Sequence, residues 1–219
     1  MSRAYTLDPK AATAADNTIS RIDASGKYVG TLTRAEAVVS RQQTEGVEFS
    51  FRSDDGQQAD FLTLWTYNVK GEALPSLKAL NAVMTICRAK TITPTDGQVE
   101  KWDAASHSRQ KVAATIFPEL TGKRIGLLLQ REEYAKSDGS IGAKMNIFGV
   151  FDPDSELTAS EILAKKTQPE VLGRMVAALK DKPLNGAKPQ PATQPAGSSP
   201  DLDDIPFANP YRGKFSYVV

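Results

Sequence analysis

Apolar residues recur at every second position over several short stretches of this chain, and at spacings of three and four over a few others. In VEFSFRS, starting at Val47, the residues Val47, Phe49 and Phe51 share one side while Glu48, Ser50 and Arg52 share the other. That is the period of a half-buried strand. Asp54-Asp55-Gly56 is a hairpin signal leading into ADFLTLWTYN, which is rich in aromatic and strand-preferring residues. Upstream, a short stretch Thr18–Asp23 and the turn Ala24-Ser25-Gly26 precede a strand over Lys27–Leu32 that runs on toward Ser40. Pro75, followed by Leu77, Leu80, Val83, Met84 and Cys87, predicts one amphipathic helix. A loop and a short helix around Val99–Ala105 come next. RIGLLLQREEY and AKMNIFGVF then predict two strands separated by Ser137-Asp138-Gly139-Ser140. Thr158 with Glu161 three residues later is a capping box opening a helix over Ala159–Lys165, and a second helical stretch covers Pro169–Leu179.

Three strands, a helix and two strands make the element order of a mainly β, five-stranded OB-fold-like barrel followed by C-terminal helices. Other small β-barrels and α+β sheets accommodate the same order. Near Pro183 the composition shifts to PLNGAKPQPATQPAGSSP, too poor in apolar groups to offset the entropy of ordering it. The expected organisation is a flexible N-terminus over 1–16, a folded body over 17–182, a disordered linker over 183–200 and an acidic, aromatic tail over 201–219. No internal repeat is present.

Composition narrows the chemistry. Among 219 residues, 27 Lys and Arg against 26 Asp and Glu leave a formal charge of +1, which argues against a wholesale basic coating for duplex DNA or anionic membrane. One cysteine, Cys87, and one histidine, His107, leave no disulfide framework and no thiolate- or histidine-rich metal site. Cys87 falls on the apolar side of its helix, and His107 sits in a polar run with no nucleophile motif beside it. Asp152–Glu156 alternates carboxylates like a calcium loop. Leu157 and Leu163 stand where such a loop needs Gly and Glu, so a capped turn explains it better. No phosphate-binding glycine loop and no nucleophile elbow occurs. The N-terminal sequence lacks a signal-peptide core, and no apolar run is long enough to span a bilayer. The expectation is a soluble, non-enzymatic protein of a reducing compartment, with no cofactor, metal or membrane partner.

The strand Phe61–Tyr67 is the most informative. Alternation places Phe61, Trp65 and Tyr67 on one side and Leu62 and Leu64 on the other, so both sides are apolar. Either the second side is covered by the 75–87 helix or a terminal segment, or Trp65 and Tyr67 form a platform on which unpaired bases stack. Arg52, Lys123, Arg124, Arg131 and Lys144 are candidate phosphate contacts, with Tyr134 and Phe148 interleaved among them. A normally solvated barrel surface would carry the same residues.

Asp201-Leu202-Asp203-Asp204-Ile205-Pro206-Phe207, after a Pro- and Gln-rich linker, resembles the acidic tip of bacterial single-stranded DNA-binding proteins. In that family an OB-fold binds DNA and the tip recruits replication, recombination and repair proteins. The stretches Gly46–Tyr67, Gly122–Tyr134 and Met145–Asp152 resemble a bacteriophage family of single-stranded DNA-binding proteins. These resemblances imply a protein that binds single-stranded DNA without sequence readout, acting in the cytoplasm of an infected bacterium. They also imply host or phage partners captured through Asp201, Asp203, Asp204, Ile205, Pro206 and Phe207. One departure is visible: the bacterial tip ends at its phenylalanine, whose carboxylate partners recognise, whereas here residues 208–219 follow Phe207. The competing reading is an adaptor whose barrel binds protein, and an enzyme is a distant third.

Overall fold

The computed structural model describes residues 6–9, 20–103 and 108–184, all within the first of the two units into which the chain divides, Met1–Asn185. Seven strands form one antiparallel sheet: β1 (Gly26–Val39), β2 (Glu45–Ser53), β3 (Gln58–Tyr67), β4 (Thr95–Asp103), β5 (Ser108–Ile116), β6 (Arg124–Ala135) and β7 (Ile141–Phe151). Three helices accompany them: α1 (Ser76–Ile86), α2 (Ala159–Leu163) and α3 (Val171–Ala178). The mainly β reading holds, with β2, β3, α1, β6 and β7 close to their expected places. The expected helix around Val99–Ala105 is not formed over residues 99–103, which belong to β4, paired with β5 from Thr95↔Ile116 to Asp103↔Ser108, and residues 104 and 105 lie outside the described set. Five strands become seven through that hairpin. Of Thr18–Asp23, only Arg21 makes a strand-like bridge, to Gln58, and residues 18 and 19 lie outside the described set.

β1 organises the sheet because it uses its two edges differently. One edge pairs with β2 from Gly30 to Val39. The other is divided between β6, along Gly26–Thr31, and β5, at Glu36. A bulge between Leu32 and Arg34 marks the division, as bulges do where a strand bends away from a partner. The path β3-β2-β1-β6-β7 therefore curls while β5-β4 branches from it. β3 and β7 approach within 8 Å between Cα atoms, yet no hydrogen-bonded pairing joins them among the described residues.

Period-two alternation explains the curl. Val47, Phe49 and Phe51 of β2, Leu62 and Leu64 of β3, and Ile125, Leu127 and Leu129 of β6 all turn into one core. Leu80, Val83 and Ile86 of α1 join it, so the helix packs on both β3 and β7 where the sheet stays open. Fully burying each such side chain contributes about 1.5–3 kcal/mol. Cys87, just past α1, is buried there, and burial pushes its thiol up to about 11. A second, smaller core on the opposite face of β6 and β7 gathers Leu128 and Phe151 under Leu172 of α3, with Val29 and Met175 beside them.

The turns follow their residues. Gly56 and Gly139, at φ 89° and 80°, take the left-handed conformation that glycine adopts without cost. Asp152 accepts from the Asp154 and Ser155 amides at 3.1 and 2.9 Å, the capped turn expected there. No helix among the described residues is long and apolar enough to cross a membrane.

Candidate nucleic-acid interface

The outward face of β1–β3 is the most distinctive surface of the sheet. Pairing jumps from Phe49↔Leu62 to Phe51↔Ala59, so Asp60 and Phe61 together oppose a single residue of β2. This bulge turns Phe61 outward with φ 61° and 65% exposure. A non-glycine residue held there costs about 1–3 kcal/mol, and such strain clusters at functional positions. Trp65 faces outward on the same strand, and Tyr67 follows a second bulge, where Gly46↔Trp65 gives way to Glu45↔Tyr67. Trp65 is half-buried because it lies across Gly46 of β2, and Tyr67 is 38% exposed. Leu62 and Leu64 alternate inward, so α1 reaches β3 through the inner core and leaves the aromatic side open. Of the expected aromatics, Trp65 thus shares the outward side of β3 with Phe61, and the second bulge separates Tyr67 from them.

Beside those aromatics, β1 and β2 carry charge. Arg34 lies between Glu36 at 2.9 Å and Glu48 at 2.7 Å, and Lys101 of β4 reaches Glu36 at 2.6 Å. The Thr63 hydroxyl donates to Glu48 at 3.2 Å, tying the network to β3. Arg34, Glu36 and Glu48 are largely withdrawn from solvent, and with Lys101 the two cations and two carboxylates compensate one another. The network stiffens the platform without giving it net charge. Arg52, one step beyond on β2, is exposed and makes no side-chain ion pair among the described residues.

The other expected basic residues are arranged differently. Arg124 donates to Asp54 at 2.8 Å and to Asp154 at 2.9 Å, and the Asp54 hydrogen bond and charge raise its pKa further. Arg131 is engaged by Glu133 at 2.8 Å. Lys144 and Lys182 both reach Glu132, at 3.3 and 2.8 Å. The hydrogen bond from Lys182 is the main cause holding that carboxyl at about 2, with Asn146 and Lys144 adding to it. Lys123 is exposed and has no ion-paired partner among the described residues. Tyr134 lies over Gly142 across the β6–β7 ladder, and Phe148 sits at the β7 bulge, where Leu128↔Gly149 gives way to Leu129↔Ile147. Arg131, Tyr134, Lys144 and Phe148 therefore all lie on the β6–β7 hairpin, where Arg131 and Lys144 are held in internal ion pairs.

Two features escaped sequence reasoning. Phe61 was recognisable as an aromatic of the right side, but nothing in the sequence announces the bulge that exposes it. Arg21 is brought next to Gln58 by the chain segment running beside β3, a neighbourhood set by register alone. His107 and the tail residues Asp201, Asp203, Asp204, Ile205, Pro206 and Phe207 lie outside the described residues. No family model matches the chain, and no curated protein matches it.

Proposed function

We propose that this protein binds unpaired DNA on the outward face of β3, by stacking bases on Phe61, Trp65 and Tyr67, and protects it without reading sequence. The observation that carries the reading is Phe61: a large apolar side chain held exposed in a strained backbone, on the strand that also carries Trp65 and Tyr67. Stacking on such side chains contributes about 1–3 kcal/mol per base and suits every base alike. The path β3-β2-β1-β6-β7, with α1 between β3 and β6, supports an OB-fold-like barrel left open between β3 and β7 and carrying the β4–β5 hairpin as an insertion. Resemblance of the tail to the acidic bacterial tip supports a setting in phage replication or recombination, with Asp201–Phe207 recruiting host or phage proteins. Deleting residues 201–219 then abolishes capture of those proteins and leaves the body folded.

A specific observation favours the adaptor reading as the alternative: Arg124, Arg131 and Lys144 are all neutralised by carboxylates, as on a surface that meets protein. Fluorescence titration of the full chain with oligo-dT and with matched duplex, across a salt series, separates the two. Strong preference for the single strand, weakening as salt rises, supports DNA binding. Equal affinity for duplex, or no binding, sinks it.

A further inference from the structure

At one level of the sheet, outward-facing residues form a line across five chain segments. Arg21 bridges Gln58 of β3, Gln58 faces Arg52 of β2, Arg52 faces Thr31 of β1, and Thr31 faces Arg124 of β6. The orientation agrees at every crossing, because the flanking residues Ile22, Ala59, Phe51, Leu32 and Ile125 all turn into the inner core. Strands about 4.8 Å apart place neighbouring arginines of this row roughly 10 Å from one another and make the line roughly 19 Å long. Gln58 and Thr31 put neutral hydrogen-bonding groups between the charges.

We infer that this row is a phosphate track, taking the sugar–phosphate backbone of one DNA strand across β3, β2 and β1. The inference rests on the DNA-binding reading and adds to it the direction of the strand and the residues that hold its backbone. Arg21 and Arg52 are exposed and make no ion pair among the described residues, so each guanidinium is available to a phosphate, whose oxygens match its planar fork. The Arg124 guanidinium is already oriented, held by Asp54 and Asp154. Those carboxylates are themselves 53% and 81% exposed, and exposed ion pairs are weak enough for a phosphate to replace them. Arg124 is thus the third station, entered by exchange rather than directly. Phe61 stands three residues along β3 from Gln58, within about 10 Å at strand rise, so a backbone lying on the row brings its bases to the aromatic side chains.

The test uses the full chain and two probes of equal length, oligo-dT and an abasic deoxyribose-phosphate oligomer, each titrated across a salt series. Arg21→Gln and Arg52→Gln are each expected to lower the slope of log affinity against log salt by about 0.7, and the double variant by about 1.4. The loss is the same for both probes, because the contact is to the backbone. Asp54→Asn with Asp154→Asn is expected to tighten the abasic oligomer and steepen its slope by about 0.7, since Arg124 then meets phosphate without competition. All four positions are exposed, so thermal melts matching the parent confirm the fold. An unchanged slope for both probes in the double arginine variant, or an abasic oligomer that does not bind the parent, overturns the track. An unchanged affinity in the double aspartate variant removes Arg124 from it. Oligo-dT that binds no tighter than the abasic oligomer, while the arginine effects persist, overturns the stacking reading and leaves the track standing.

Discussion

Trp65 lies across Gly46: a β-carbon at Gly46 would stand 2.8 Å from Trp65 Cε3 and 2.8 Å from the Leu64 carbonyl oxygen. The indole is therefore supported from below by bare backbone. Tyr134 over Gly142 repeats the arrangement on β6–β7, where the glycine β-carbon would meet the ring at 2.7 Å. Glycine normally weakens a strand, and a cross-strand aromatic laid over it restores the lost packing.

That relationship makes Gly46→Ala a probe of the platform. One of the two close atoms is backbone and cannot rotate away, so the added methyl displaces the indole and strains β3. Overpacking of this kind costs about 1–3 kcal/mol. The expected outcome is a lower denaturation midpoint together with a shift in tryptophan emission, measured in one titration. Trp65→Ala, by contrast, is expected to weaken oligo-dT binding by about 1–3 kcal/mol while retaining a cooperative transition. An unchanged oligo-dT affinity would place the stacking elsewhere.

Phe61 allows function and strain to be separated by two substitutions at one site. Phe61→Ala and Phe61→Gly both remove the ring, so both are expected to lose oligo-dT affinity equally. They differ in the backbone: alanine keeps the left-handed φ of 61° at a cost, and glycine adopts it freely. Phe61→Gly is therefore expected to be the more stable of the two by about 1 kcal/mol at most, since glycine also gains unfolded-state entropy. Urea denaturation of the pair, beside their DNA affinities, checks both halves. Equal stability would mean that the bulge is not strained.

The β6–β7 group should contribute little to DNA binding. Arg131 and Lys144 already have carboxylate partners, Glu133 and Glu132, and replacing one anion by another releases few counterions. Arg131→Gln and Lys144→Gln are expected to leave the salt slope within error of the parent, whereas Arg52→Gln lowers it. A drop of about 0.7 for either hairpin variant would move the backbone path onto β6–β7.

Much of this architecture was legible because its signals are local. The alternation of Val47, Phe49 and Phe51 and the helical spacing of Leu80 and Val83 report burial directly, and both recur in the core. The β4–β5 hairpin was not legible. Val99↔Val112 is one of its few paired apolar positions, and Asp96, Gly97 and Asp103 break any strand pattern. The interface was only half legible for a different reason. Aromatic residues on one side of β3 follow from period two, but the exposure of Phe61 depends on a bulge. The pairing of Arg124 with Asp54 and Asp154 joins residues far apart in sequence, which only the fold brings together.

Glu161 sets how the body responds to acid. Its Oε2 accepts from the Thr158 amide and hydroxyl, each at 2.8 Å, and its Oε1 accepts from the Glu170 and Val171 amides at 2.7 and 2.9 Å. One buried carboxylate thus ties the start of α2 to the start of α3, whose Leu172 covers the second core. The Thr158 amide is the main cause, with the Glu170 amide next, of a carboxyl held at about 2 against an ordinary 4.5. Because the folded value is the lower one, the carboxylate's contribution is fully present above pH 4.5 and is lost as pH falls from 4.5 toward 2. Glu161→Gln removes the charge and turns an amide group toward donors it cannot accept from. The variant is expected to melt below the parent at neutral pH, and the two melting temperatures should converge as pH falls through that window. Glu132 also sits at about 2, but its partners are exposed, so salt screens its share. Melts at high salt therefore isolate Glu161, and a constant gap between parent and variant from pH 7 to pH 2 would show that its hydrogen bonds, not its charge, hold α2 to α3.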